Sequence, residues 1–305
     1  MGFRYIINLC TRGVFQIKIA VSSDNHLDVN RQDVDQVLDE QSKWLNDHQV
    51  DYYLFAGDLF NNFTKTATFM DQLQARLKET KALYIAGNHD MLGAKSADQI
   101  ENFDDNQYLH NRYLDLPGTP WRMIGNNGWY DYSFSTYYND PVAVHRWKKI
   151  FWLDSSIPQQ ESDQDKMSRV LKQVDHQLDA AQRQKKQVMF LTHFAPDHRL
   201  LAPKPAGVNT PRRERVYQMV NAMMGSDHLG QLLESYQNVK AAFYGHLHQV
   251  HHSLYRQQLV YLHQAVGVRN KRHNEWQADN FFDQWRQTLR VLDDQDLAAL
   301  ATGNY

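Results

Sequence analysis

Five times along this 305-residue chain a short apolar run ends in an aspartate, asparagine or histidine set beside a small residue. The segments are Ile17 to His26, Tyr52 to Asp58, Tyr84 to Asp90, Val188 to His193 and Ala241 to His248. The third, Tyr84-Ile85-Ala86-Gly87-Asn88-His89-Asp90, is the densest, with three apolar residues, a glycine and then packed polar side chains. An apolar run of this length suits a strand buried on both faces, and polar groups just after it land on the sheet's carboxyl edge, where α/β sheets bind ligands. Taken alone, an Asn-His-Asp run reads equally as an Asx-type turn with a solvated imidazole. Repetition narrows the choice to folds that gather strand ends along one edge.

The intervening segments have the matching pattern. Phe15 to Val21 reads as a strand followed by the loop Ser22 to His26, and Asp33 to Asp47 carries helical spacing at Val34, Val37, Leu38, Trp44 and Leu45. Tyr52 to Ala56 is a second strand, and Thr64 to Thr80 an amphipathic helix with Thr64 as candidate cap. Strand and helix alternate through the first ninety residues, which predicts parallel β-α units. Between residues 91 and 165 the periodicity fails. Pro117, Gly118, Pro120, Gly125 and Gly128 punctuate a segment crowded with aromatics, from Trp121 and Trp129 to Trp147, Phe151 and Trp152. Such rings either wall a pocket or stack a base, or they pack the segment onto the main sheet. Beyond it come a helix over Lys166 to Lys186, a strand over Val188 to Thr192, and an insertion from Arg199 to Ser235 with a Pro-rich loop and one or two helices. A strand over Lys240 to Tyr244 follows, and the runs Leu259 to Val268 and Leu289 to Leu292 are expected to complete a second sheet.

Composition excludes several classes. A hydrophobic content of 42% supports a packed core, and a net charge of -2 with scattered Lys and Arg implies neither general nucleic-acid affinity nor a membrane-surface role. Cys10 is the lone cysteine, so no disulfide forms within the chain, and no apolar run approaches the roughly 20 residues that cross a bilayer. Met1 to Phe15 has too short an apolar segment for a secretory signal, which reads as a cytoplasmic protein.

The polar edge comprises Asp24, His26, Asp58, Asn88, His89, His193, His246 and His248. Carboxylate, amide oxygen and imidazole suit divalent manganese, iron or zinc, and no thiolate set exists for a structural zinc site. The set is too large for one ion. Two ions sharing a carboxylate would use it, and two metals about 3.5–4 Å apart are common machinery for phosphoester displacement. Two divalent ions carry about four positive charges against about three from Asp24, Asp58 and a bridging hydroxide, and the surplus favours a phosphate anion.

Asp24-x-His26, Gly57-Asp58-x-x-Asn61, Gly87-Asn88-His89-Asp90, Thr192-His193 and Gly245-His246-x-His248 resemble the five signature blocks of the calcineurin-like metallophosphoesterase superfamily. The resemblance implies an α/β (α+β) fold, a four-layer αββα sandwich of two mixed sheets flanked by helices. It also implies one metallophosphoesterase domain over residues 1–305, with an aromatic-rich accessory segment at about 91–165 and a lid-like insertion at about 199–235. By this resemblance Asp24, His26 and His248 hold one ion, Asn88, His193 and His246 the other, and Asp58 bridges. Manganese or iron is favoured. His89 is then the general acid and phosphate contact, with Asp90 steadying its imidazole. Asn61 stands where many members carry aspartate.

The implied reaction is in-line attack of a metal-activated hydroxide on phosphorus while His89 protonates the leaving alkoxide. The substrate expected first is a small phosphorylated molecule, nucleotide-like or otherwise, as monoester or diester. A second reading is a nuclease, since the second and third blocks resemble the DNA-repair branch; the short stretch after the last block and the absence of a basic stripe tell against it. A third is a non-catalytic binding module, which would be expected to lack ligands. Pro211-Arg212-Arg213-Glu214-Arg215 sits between two ligand blocks, either as a solvated first helical turn or as arginines gripping a second anionic group of the substrate.

Overall fold

The computed structural model describes residues 17–93, 95–248 and 253–305. Met1 to Phe15, including the start of the first expected strand and Cys10, lies outside the described residues.

The amino-terminal third alternates strand and helix: β1 (Ile19–Ser22), α1 (Val34–Asp47), β2 (Tyr52–Ala56), α2 (Phe63–Arg76) and β3 (Lys81–Ile85). The middle runs through α3 (Ala97–Glu101), β4 (Arg112–Asp115), β5 (Trp121–Gly125), α4 (Pro141–Phe151), α5 (Asp163–Arg183) and β6 (Gln187–Leu191). The last third contains α6 (Pro211–Asn221), α7 (Asp227–Ser235), β7 (Val239–Tyr244), β8 (Leu254–Arg256), β9 (Leu259–His263), α8 (Phe281–Thr288), β10 (Arg290–Leu292) and α9 (Asp294–Thr302).

Two mixed sheets result, one in the order β10-β1-β2-β3 and one in the order β4-β5-β6-β7-β9-β8. Within them β1, β2 and β3 are mutually parallel, as are β5, β6, β7 and β9. The side-chain alternation along each strand builds four layers. Ile19, Val21, Leu54, Ala56, Leu83 and Ile85 face Met189, Leu191, Ala241, Phe243, Val260 and Leu262 in a core between the sheets. Their neighbours Ala20, Tyr53, Phe55, Tyr84, Phe190 and Tyr244 belong to the outer core with the helices. Burial on both faces explains why these strands read as unbroken apolar runs instead of alternating ones. The helices show the complementary stripe: α1 buries Val37, Leu38 and Leu45, and α5 buries Met167, Val170, Val174 and Leu178.

The structure moves several expected boundaries. Helix α2 starts at Phe63, because the Asn62 side chain, not Thr64, accepts the Lys65 backbone N–H at 3.1 Å. The helix expected over Glu214 to Met224, α6, starts instead at Pro211 behind a Thr210 cap and stops at Asn221. Strand β10 joins the first sheet instead of the second, pairing antiparallel with β1; three residues, two of them apolar, carry no signal of their partner. The aromatic segment contributes β4 and β5 to the second sheet, with Trp121, Trp129, Tyr130 and Tyr132 buried. Among the described residues no helix is long and apolar enough to cross a membrane.

Candidate metal centre

Every sequence-predicted ligand lies just beyond the carboxyl end of a parallel strand: Asp24 and His26 after β1, Asp58 after β2, Asn88 after β3, His193 after β6, and His246 and His248 after β7. The two sheets bring these ends together. Among the described residues three overlapping groups of donors meet here, Asp24 with His26 and His248, Asp58 with His193 and His246, and His26 with Asp58 and His89 between them. His26 links the first two, its Nε2 lying 3.7 Å from Asp58 Oδ2. The backbone turns sharply to deliver them. Asp24, His26, Asp58 and His246 all take the left-handed conformation, with φ of 56°, 44°, 62° and 65°, a strained state that clusters at functional sites. Gly57, at φ +90°, and Gly87 let the second and third loops meet; a Cβ on Gly57 would stand 2.5 Å from the Gly87 nitrogen, and one on Gly87 would collide with the Asp58 carboxylate.

The distances fit divalent ions. His26 Nε2 lies 3.1 Å from His248 Nε2, which is 3.2 Å from Asp24 Oδ1. His193 Nε2 lies 3.1 Å from Asn88 Oδ1 and 3.3 Å from Asp58 Oδ2. Donors on one ion with bonds near 2.1 Å sit about 3.0–3.4 Å apart in octahedral or tetrahedral geometry. The far sides of three of the imidazoles, those of His193, His246 and His248, are anchored as metal-bound histidines require. His193 Nδ1 donates to Ala56 O at 2.8 Å, and His248 Nδ1 donates to Glu275 Oε2 at 2.8 Å, which leaves each Nε2 for the site. His246 Nε2 donates to Met223 O at 3.2 Å, leaving its Nδ1.

Electrostatics points the same way. Asp24 and Asp58 are buried to 0% and 1% exposure, and two carboxylates so placed demand positive charge nearby. Burial works to raise both carboxyls, but His248 beside Asp24 and His193 beside Asp58 hold them well below the usual carboxylate range. Burial opposes charge on these two imidazoles as well, yet Asp58 raises His193 to about 9, and Asp24 and Glu275 raise His248 to about 10. His26 and His246, where burial dominates, are pushed down to about 3. His26 and His246 are thus neutral donors beside anionic oxygens, while a borderline cation would displace the Nε2 protons of His193 and His248.

One assigned contact is corrected. Asp90 does not steady His89. Its carboxylate accepts the backbone N–H groups of Asp58, Leu59, Phe60 and Gly87 and the Thr66 hydroxyl, at 2.6–3.1 Å, tying the second and third loops together. Burial, with the charge of Asp58, pushes its carboxyl up to about 6. The partner of His89 is Asn61, whose Oδ1 accepts from His89 Nδ1 at 2.7 Å. The amide therefore fills the orienting place where the block pattern more often has a carboxylate.

Two further residues carry no sequence signal. Asp154, in the turn after α4, accepts from Asn88 Nδ2 at 2.8 Å and so turns the Asn88 oxygen toward His193. Glu275 reaches His248 from an irregular loop twenty-seven residues downstream. The arginine run does not join the site: Arg212, Arg213 and Arg215 are exposed on the first turn of α6, and Arg213 donates to Gly207 O at 2.9 Å. A separate donor group, Asp197, His198 and Asp227, lies elsewhere, and Arg199 already engages both Asp197 oxygens.

Solved structures with this arrangement of sheets include a dimetal phosphatase from Danio rerio, 13% identical, matched over 81% of this chain and 86% of that one with a TM-score of 0.50. Weaker likenesses are the calcineurin-like phosphoesterase YfkN of Bacillus subtilis, at 11% identity, 81% and 80% coverage and a TM-score of 0.40, and a purple acid phosphatase from yellow lupin seeds, at 13%, 85% and 46%, and 0.41. Among curated protein sequences, none matches. At these identities the first likeness speaks for the fold alone. The sequence pattern of calcineurin-like phosphoesterases, however, matches residues 17–250. That span takes in all five strand-end clusters, and the chain belongs to the calcineurin-like phosphoesterase family.

Proposed function

We propose that this protein hydrolyses a small phosphomonoester or phosphodiester with the help of two divalent ions. Asp24, His26 and His248 would hold one, Asn88, His193 and His246 the other, and Asp58 would serve both. The observation that carries this reading is the position of Asp58, whose Oδ2 is 3.7 Å from His26 of one group and 3.3 Å from His193 of the other. When bound, the ions would neutralise phosphate oxygens and make a water acidic enough to react near neutral pH.

The chain's own residues divide the remaining work. His89 lines the cavity beside the donors, and its Nδ1 is committed to Asn61. Its Nε2 is thus the nitrogen that holds a proton for the leaving oxygen, a task suited to an imidazole. The His89 backbone N–H donates to Asp58 Oδ1 at 2.9 Å, which couples the acid's position to the shared carboxylate.

The test is the rate of manganese-loaded His89→Ala on two monoesters. Phenyl phosphate hydrolysis should fall by about 10²–10⁴, and p-nitrophenyl phosphate hydrolysis by much less, because the nitrophenolate leaves without a proton. Equal losses would refute the acid role. A wild-type enzyme that hydrolyses neither monoesters nor diesters would refute the whole reading.

A further inference from the structure

Beside the donor edge lies a cavity of about 580 Å³, within the ~300–1,000 Å³ typical of small-ligand sites. One side of it is the edge itself, from Asp58 and His89 to His248. The opposite wall comes from two segments that supply no ligand. The end of α4 and the turn after it contribute Phe151, Trp152 and Leu153, while the connection from β6 to β7 contributes Leu201, Tyr217 and Met224. This wall is apolar and, among the described residues, no lysine or arginine lines the cavity.

Resting on the phosphoesterase reading, we infer that the cavity receives the alcohol part of the substrate, and that this alcohol is an apolar aryl or alkyl group without a charge of its own. A second phosphate or a carboxylate would be buried against Trp152 and Leu153 with no cation to meet it, which is unfavourable. The nearest fixed charge in the wall, Asp154, is itself negative, and its oxygens are engaged by Asn88 at 2.8 Å and by the Trp152 indole N–H at 3.1 Å. A nucleobase would need several partners for its polar edge, and Tyr217 and Asn221 are the polar side chains the wall beyond Asp154 offers. An apolar group gains in proportion to the surface it hides from water. Phe151 and Leu153, 64% and 47% exposed, extend the same chemistry to the mouth.

The experiment compares kcat/KM of the manganese-loaded enzyme for phenyl, 4-butylphenyl and 4-carboxyphenyl phosphate. The butyl ester should exceed the phenyl ester by about tenfold or more, and the carboxylated ester should fall below it although its phenol is the better leaving group. Leu153→Asp, at an exposed position, and Tyr217→Ala should each cut the butyl-to-phenyl ratio to about threefold or less. Equal rates on the three esters, or preference for the carboxylated one, would overturn the inference while leaving the phosphoesterase reading intact. If no ester is hydrolysed, that reading falls instead, and titration with 4-butylphenylphosphonate against phenylphosphonate decides the cavity: no tighter binding of the butyl compound refutes it. Dioleoyl phosphatidate vesicles separate the sources of such an alcohol. Turnover there assigns the ester to a lipid surface, and turnover of soluble esters only assigns it to a dissolved compound; both retain the apolar group.

Discussion

Asp154 shows how much of the proposed metal centre would rest on side chains that never touch an ion. An asparagine ligand is ambiguous, because its amide can present oxygen or nitrogen; the hydrogen bond from Asn88 Nδ2 to Asp154 resolves this by holding the nitrogen away from His193. Asp154→Ala should therefore weaken the site containing Asn88 and His193 by about 10- to 100-fold in manganese affinity, as loss of such orienting partners usually does. A manganese titration read by calorimetry checks this, and unchanged affinity would show that Asn88 is held some other way. The candidate ligands were legible in the chain because each sits directly after an apolar run and because few residue types can bind such ions. The orienting partners were not. Asp90 adjoins His89 in sequence, but the loop turns its carboxylate toward backbone N–H groups, and the imidazole meets Asn61 from the preceding block instead. Adjacency in sequence says little about side-chain contact in a tight turn.

Among the elements, α5 contains the least expected feature. Its Lys166 is 6% exposed, with Nζ 3.2 Å from the centre of the Trp129 ring and 3.9 Å from Met91 Sδ. Lys148 takes the nearby Asp163 carboxylate at 2.7 Å. Burial pushes the Lys166 amine down to about 7. The unfolded chain, where the lysine titrates near its ordinary value of about 10.4, then binds more protons than the folded one between about pH 7 and 10, so stability should rise with pH across that window. Lys166→Met should remove this dependence, stabilising the protein by roughly 3–5 kcal/mol at pH 7 or below and by little near pH 10. Denaturant unfolding of both proteins from pH 6 to 10 tests it; parallel curves would mean that the amine keeps its charge. Helical periodicity predicted α5 but not this burial, since a lysine at an inward position reads as a solvated face. The aromatic segment was opaque for a related reason. Trp129, Tyr130 and Tyr132 are buried by contacts with distant elements such as Phe194 and Asp163, so local spacing held no account of them.

For the whole molecule, the architecture is one device: two sheets whose parallel strands end on a common edge, with helices covering the outer faces. The parallel β-α units and the common edge followed from the apolar runs and the alternation of strand and helix, because strands buried on both faces leave a plain signature. The four-layer arrangement of two sheets came instead from the resemblance of the five blocks. Which sheet takes β10, and what covers the edge, depended on long-range packing that the pattern does not encode. The central proposal for that edge is that it holds two ions through one shared carboxylate. The direct measurement is the metal content of the manganese-loaded protein and of Asp58→Ala after removal of free metal, by elemental analysis against protein concentration. Two ions per chain in the wild type and at most one in the variant is the predicted result; one or none in the wild type, or two retained without Asp58, would contradict it.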